Sequence, residues 1–194
     1  MLSVEAKDCD TLLRGMATTG KAGEAGRLQA RVSVDGSGRA NVDTGVPVLD
    51  HLLTLLAERA GFDLVLEVAP EDAEAEVASA GRALGQALTD ALRVEGRRGH
   101  GSAAVPADEA LAHVALEASG RPLVVSNADL SDVRVGGLGS DLAASFLHAL
   151  AEGAGLTLHV RLIEGSDPQH VLEAIFKALG VALAQSCRAR SGKE

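Results

Sequence analysis

The chain consists of two similar halves, and this internal repeat constrains its fold more than any other feature. Residues 57–68, AERAGFDLVLEV, match residues 151–162, AEGAGLTLHVRL, at an offset of 94 residues. Residues 82–88, RALGQAL, match residues 177–183, KALGVAL, at an offset of 95 residues. One unit therefore occurs twice, and we place the first repeat at about 24–94 and the second at about 103–190.

Hydrophobic periodicity predicts the same order of elements in both halves. The first half is expected to contain a strand at 27–34, a hairpin turn at 35–38, a return strand from 40, a helix at 46–58, a strand at 62–68 and a helix at 75–94. The second half is expected to contain a hairpin of strands 110–118 and 123–126, a helix at 138–152, a strand at 156–163 and a helix at 170–188. Each half is thus β-β-α-β-α.

Neither half can form a stable domain alone, because a short sheet with helices on one face leaves apolar helix surface uncovered. We therefore expect an α+β fold in which the two halves pack together, with helices on one face of each sheet. The chain of 194 residues has the length of one domain, 1–194.

The composition argues against a nucleic-acid partner. The net charge is −9, which repels a phosphate backbone. Aromatic residues make up 2% of the chain, with no Trp and no Tyr, so stacking platforms for bases are scarce and the core must consist of Leu, Val and Ala.

Cysteine usage and hydropathy indicate the compartment. The two cysteines, Cys9 and Cys187, form no CxxC pair and are interpreted as free thiols in a reducing environment. No run of about 18 apolar residues is present, so we expect no membrane partner and a cytoplasmic protein.

Six segments carry a family resemblance in their order and spacing. They are DTGVPVLDHLL (43–53), GFDL (61–64), GSAAVPADEAL (101–111), SGRP (119–122), AGLTLHV (154–160) and HVLEAIFKAL (170–179). Together, over roughly residues 24–183, they resemble the imidazoleglycerol-phosphate dehydratase family, which is duplicated in the same way. The resemblance implies the ribosomal protein S5 domain 2-like fold and a hydro-lyase of histidine biosynthesis that dehydrates imidazole glycerol phosphate.

The implied reaction needs a strong electron sink, because the proton to be removed lies on an unactivated carbon beside the imidazole ring. A divalent metal bound to the ring nitrogens can act as this Lewis acid, and imidazole and carboxylate ligands suit manganese. The family supplies most ligands as two copies of His-His-x-x-Glu. On a helix, these positions lie within about 100° of arc and face one cavity.

The second half of the chain keeps most of this ligand pattern. Gln169, His170 and Glu173 stand at the His-His-x-x-Glu positions, so only the leading histidine is missing. His159 resembles a further metal ligand, and Lys177 resembles a phosphate-binding lysine.

The first half keeps little of the pattern. Counted back from LGQAL, the His-His-x-x-Glu positions fall on Glu74, Ala75 and Ala78. His51 remains in LDHLL, whereas Arg59 replaces a second histidine.

The resemblance therefore implies two metal sites of unequal quality. One would be formed by two imidazoles and two carboxylates, namely Glu74, His159, His170 and Glu173. The other would combine His51 with positions Ala75, Ala78 and Gln169, which lack strong donors, and we expect it to be empty. We predict at most one manganese or other divalent ion per subunit, or none.

Substrate-binding and catalytic residues also follow from the resemblance. Arg121 of SGRP and Lys177 correspond to phosphate-binding residues, and Arg98 lies beside Gly99, where the family has an arginine. Glu173 and Glu24, the latter at the position of an early family glutamate, are the candidate catalytic residues.

Structural interpretations compete with these assignments. His51 follows Asp50 at a helix start and could simply belong to the capping region. Arg121 could pair with Asp108 or Glu109. The acidic run at 71–76 has the composition of a solvated helix start, where carboxylates favour the helix dipole.

Three functional hypotheses remain. The first is a dehydratase that works with one metal or with rearranged ligands, its dehydration impaired by the lost metal ligands. The second is a non-catalytic paralogue that keeps the fold as a small-molecule binding or assembly module, and the third is another activity on the retained half-site. The resemblance implies a phosphorylated small molecule as partner and a homo-oligomer, either a trimer or a larger shell.

Overall fold

The computed structural model describes residues 28–128, 134–135 and 138–190. The first half contains β1 (Gln29–Ser33), β2 (Ala40–Asp43), α1 (Pro47–Ala60), β3 (Asp63–Glu67) and α2 (Ala73–Arg93). The second half contains β4 (His100–Ala107), β5 (Ala110–Glu117), β6 (Leu123–Ser126), β7 (Arg134–Val135), β8 (Leu138–Gly139), α3 (Ser140–Ala154), β9 (Thr157–Glu164) and α4 (Pro168–Cys187).

The two main sheets have matching topologies, which confirms the predicted duplicated α+β fold. The first sheet has the order β1-β3-β2, and the second has the order β4-β5-β9-β6. In both, the strand after the first helix of the half is central: β3 is antiparallel to β1 and parallel to β2, and β9 is antiparallel to β5 and parallel to β6.

The two predicted hairpins were wrong, because the strands on either side of each turn do not pair. β3 lies between β1 and β2, and β9 lies between β5 and β6. In each half the later strand lies in the centre with buried side chains: Leu64 and Leu66 of β3, and Leu158 and Val160 of β9, are almost completely buried. Two neighbours satisfy both backbone edges of such a buried strand.

The hairpin of β4 and β5 was not predicted from the sequence. β4 pairs with β5 in antiparallel register across the turn at Asp108 and Glu109. The strand HGSAAVPA consists mainly of small residues, so its alternation of apolar and polar side chains is weak.

The helices begin and end close to their predicted positions. α1 has Pro47 in its first turn and ends at Gly61, whose φ of 70° suits glycine. Asp72 caps α2 and Asp167 caps α4 through side-chain hydrogen bonds to backbone N–H groups. In the described part of the chain, no helix is both long and apolar enough to cross a membrane.

The two halves share one core, in which helices pack across the repeat. α2 packs against α3, and α1 packs against α4. A Cβ atom at Gly85 would lie 2.5 Å from the Leu150 carbonyl oxygen, so only glycine permits this approach of α2 to α3. The rings of Phe146 on α3 and Phe176 on α4 meet in the middle, with centroids 5.4 Å apart.

A substitution at Gly180 tests the contact between α1 and α4. A Cβ atom there would lie 2.4 Å from the Leu56 carbonyl oxygen, which is backbone and cannot move aside. We expect Gly180→Ala to lower the free energy of unfolding by about 1–3 kcal/mol, because overpacking outweighs the gain in helix propensity of about 1 kcal/mol. Urea unfolding measures this effect, with the exposed Glu152→Ala on α3 as control; a stabilised Gly180→Ala would contradict the close packing.

A substitution at Asp63 tests how much its hydrogen bonds stabilise the turn between β1 and β2. Its carboxylate accepts hydrogen bonds from the backbone N–H of Ser37 and from the guanidinium and backbone N–H of Arg39, which hold its pKa far below the ordinary 3.8. This stabilisation is complete above the unfolded-state pKa and is lost as the pH falls below it. The stability difference between the wild type and Asp63→Asn should therefore shrink as unfolding is measured from pH 7 down to acid pH. The same-turn variant Asp35→Asn controls for the lost charge, and a pH-independent difference would refute this role.

Candidate active site

The position of His51 is fixed by hydrogen bonds between Thr44 and Asp50 at the start of α1. Thr44 is fully buried and donates from its backbone N–H and its hydroxyl to the Asp50 carboxylate, at 2.9 and 2.6 Å. Asp50 is therefore the residue that organises this helix start. Its neighbour His51 projects outward, with about half of its side chain exposed.

The start of α4 carries the second group of polar residues. Asp167 accepts from the backbone N–H of Gln169 and of His170, and Pro168 occupies the first turn. Gln169, Glu173 and Lys177 follow at intervals of four residues, so their side chains lie along one face of the helix.

Glu173 is the centre of a compact polar cluster formed with three side chains. Gln169 Nε2 donates to Oε1 at 3.1 Å, Lys177 Nζ donates to Oε2 at 3.0 Å, and His51 Nε2 lies 3.5 Å from Oε1. The Glu173 and Lys177 side chains are only 14% and 13% exposed. Burial alone would raise the pKa of Glu173, but these contacts hold it below its ordinary value, so the carboxylate stays charged.

A cavity of about 180 Å³ opens beside this cluster. It lies between the first turns of α1 and α4, and most of its lining is apolar. The lining residues are Pro47, Val48, His51, Leu52, Gln169 and Leu172. The repeat thus brings an imidazole of the first half and an amide of the second half to the edge of one cavity.

His170 faces the turn between β4 and β5 and lies apart from the Glu173 cluster. Its Nδ1 lies 2.5 Å from Glu109 Oε2, and its Nε2 lies 3.5 Å from Asp108 Oδ2. The hydrogen bond with Glu109 raises the pKa of His170 against the effect of desolvation. The pKa of Glu109 is lowered to about 2, first by the backbone N–H of Asp167 and then by His170.

The remaining predicted site residues lie on the surface of the chain. His159 is exposed on β9, between Ala115 of β5 and Val125 of β6 in the sheet register. Arg121, in the turn before β6, and Arg98, just before β4, are exposed, and so is Glu74 in the first turn of α2. The prediction for Glu24 lies outside the described residues.

The donor chemistry differs between the two implied metal sites. Glu74, His159, His170 and Glu173 offer imidazole and carboxylate donors that fit a divalent ion, and Glu109 binds one nitrogen of His170 as a carboxylate does beside a metal-binding histidine. The His51 set does not fit, because Ala75 and Ala78 offer no donor and Gln169 donates to Glu173. Among the described residues of one chain, no three His, Cys, Asp or Glu side chains are grouped to hold a metal ion.

Two of the competing structural interpretations change in the structure. Glu76, in the acidic run, is 8% exposed and accepts from the backbone N–H of Glu71, so the run is not wholly solvated. Asp108 and Glu109, offered as partners of Arg121, contact His170 instead. Sequence reasoning thus missed both carboxylates as partners of His170, although they stand in the motif segment GSAAVPADEAL.

Comparison with known proteins supports this fold and shows the family. The family model described as imidazoleglycerol-phosphate dehydratase matches residues 44–183. The imidazoleglycerol-phosphate dehydratase of Acetivibrio thermocellus is 42% identical over 161 residues, which cover 81% of this chain and 83% of that protein. That of Syntrophobacter fumaroxidans is 43% identical over 166 residues, which cover 84% of each chain.

A solved structure agrees with the sequence comparison. The crystal structure of imidazoleglycerol-phosphate dehydratase from Staphylococcus aureus superposes with a TM-score of 0.77 at 35% identity, covering 84% of this chain and 94% of that chain. The shared fold, the matched residues 44–183 and the sequence identity lead to one conclusion: the chain belongs to the imidazoleglycerol-phosphate dehydratase family.

Proposed function

We propose that this chain is an imidazoleglycerol-phosphate dehydratase-like protein of histidine biosynthesis whose dehydration is impaired by its incomplete metal-ligand set. The observation that carries the proposal is the bonding of Glu173. One oxygen of this carboxylate accepts from Gln169, at a position where the family has a histidine, and the other accepts from Lys177. Lys177 corresponds to a lysine that the family shares, so the feature of this chain that argues for impairment is Gln169, whose amide donates to Glu173 where a histidine would offer a metal donor.

The chain's own residues suit a phosphorylated small molecule bearing an imidazole. Arg98, Arg121 and Lys177 are the candidate phosphate-binding residues. Arg98 and Arg121 are exposed, whereas Lys177 would have to exchange its contact with Glu173 for the phosphate. The mostly apolar cavity beside His51 and Gln169 is large enough for a small ring.

A single divalent ion, manganese by family resemblance, would be held by Glu74, His159, His170 and Glu173. When bound, it would supply a Lewis acid for the imidazole ring of the substrate. Glu173 and Glu24 remain the candidate catalytic residues that hold or move a proton. We propose that a homo-oligomer, a trimer or a larger shell, brings these residues together from different subunits.

The non-catalytic alternative is favoured by the same cluster at Glu173. If the carboxylate never exchanges Lys177 for a metal, the chain keeps the fold as a small-molecule binding or assembly module. Metal content and turnover together distinguish this alternative from an impaired enzyme.

Metal content is the first test of the proposal. After dialysis against manganese, we expect at most one ion per chain, and we expect this ion to be lost in His170→Ala, Glu173→Ala. The kcat/KM for imidazole glycerol phosphate should be at least about 100-fold below that of the Acetivibrio thermocellus relative, because one metal contributes several kcal/mol of charge stabilisation. Two ions with full turnover would refute the impairment, and no ion with no turnover would favour the non-catalytic module.

Restoring the missing donors is the converse test. The triple variant Ala75→His, Ala78→Glu, Gln169→His should bind one more ion per chain and turn over at least about tenfold faster. The matched control Ala75→Gln, Ala78→Gln, Gln169→Asn introduces polar bulk at the same positions without strong metal donors, and it should gain neither. Equal gains in both variants would show that the ligand positions are not the cause of the impairment.

A further inference from the structure

We propose that Glu109 is a positioning residue that fixes the ring of His170 as the Nδ1–H tautomer and directs the Nε2 atom toward the ligand. This inference concerns atoms within one chain. It rests on the proposed function only for the nature of the ligand, a divalent cation or the N–H group of a small molecule.

The Glu109 carboxylate joins two elements that meet at the site. It lies in the two-residue turn between β4 and β5, and its Oε1 accepts from the backbone N–H of Asp167 at 2.8 Å and of Ser166 at 3.3 Å. The turn is thereby tied to the start of α4. The other oxygen, Oε2, remains for the imidazole ring of His170, 2.5 Å from Nδ1.

The tautomer follows from the chemistry of this contact. An ionised carboxylate is only an acceptor, so the hydrogen in the bond to Glu109 Oε2 must be carried by Nδ1. The backbone N–H groups of Ser166 and Asp167 help to keep Glu109 ionised, since they stabilise its charge. In the neutral ring, Nε2 then has a free lone pair. Histidines that bind metals are held in this way, with the second nitrogen donating to a carboxylate.

Asp108 defines the surroundings of Nε2. Its Oδ2 lies 3.5 Å from Nε2, and its side chain is 73% exposed, so a ligand can reach both atoms. Asp108 is also the one non-glycine residue with positive φ among the described residues, at 47°. Two-residue hairpin turns require a positive φ, which Asp adopts readily, and here the turn places two adjacent carboxylates around one imidazole.

The variant Glu109→Gln separates positioning from a purely structural role. The amide oxygen of Gln can still accept from Ser166 and Asp167, so the start of α4 is preserved. The amide NH₂ group then faces Nδ1, where it requires an acceptor, and the ring must change to the Nε2–H tautomer. Long-range ¹⁵N–¹H NMR spectra at alkaline pH, where the ring is neutral, distinguish the two tautomers, and His170→Gln identifies the signals.

We expect a pyrrole-type nitrogen at Nδ1 in the wild type and at Nε2 in Glu109→Gln. The matched control is Asp167→Ala, which removes the cap of the same helix at a cost of about 1 kcal/mol but leaves the tautomer of His170 unchanged. A wild-type Nε2–H tautomer, or no change in Glu109→Gln, would overturn the inference. Since the measurement needs neither metal nor turnover, its failure is distinguishable from failure of the proposed function.

Discussion

The close contact of α1 with α4 is the constraint on which the site depends. These helices belong to different halves of the repeat, and Gly180 lets the backbone of α4 approach the Leu56 carbonyl of α1 without a side chain between them. The approach places His51, on α1, within 3.5 Å of the Glu173 carboxylate on α4. Neither half could form this cluster alone, because His51 belongs to the first half and Glu173 belongs to the second. The site therefore requires both copies of the repeat.

The second constraint is electrostatic. A carboxylate that is 14% exposed needs compensation, because burial of an unpaired charge is costly. In this chain the compensation comes from a lysine one turn further along α4 and from an amide one turn before it. The same carboxylate is the proposed metal ligand and catalytic group, so the internal ion pair competes with any bound cation. Since the resemblance gives this lysine to the family as well, the amide of Gln169 in place of a metal-binding histidine is the physical reason for the impairment that we propose.

The fold of the family does not depend on the residues that we propose as its missing metal ligands. The chain keeps the family's fold at 42% identity to the Acetivibrio thermocellus relative. Ala75 and Ala78, at which the resemblance predicts ligands, belong to α2, a helix that packs in the shared core. Helix packing requires an apolar face and small contact residues, and these requirements are independent of whether the neighbouring positions bind metal.

The sequence by itself determined the duplication, the four main helices and the family. Hydrophobic periodicity, helix caps and motifs are local patterns, and they can be recognised from the order of residues alone. Only the tertiary structure decided the strand order, the burial of Glu76 and the pairing of Glu109 with His170. Strand order depends on pairing between strands that are separated along the chain by a helix, and that is a property of the assembled sheets. The partner of a carboxylate depends on contacts between residues 61 positions apart, and helix or strand periodicity carries no information about them.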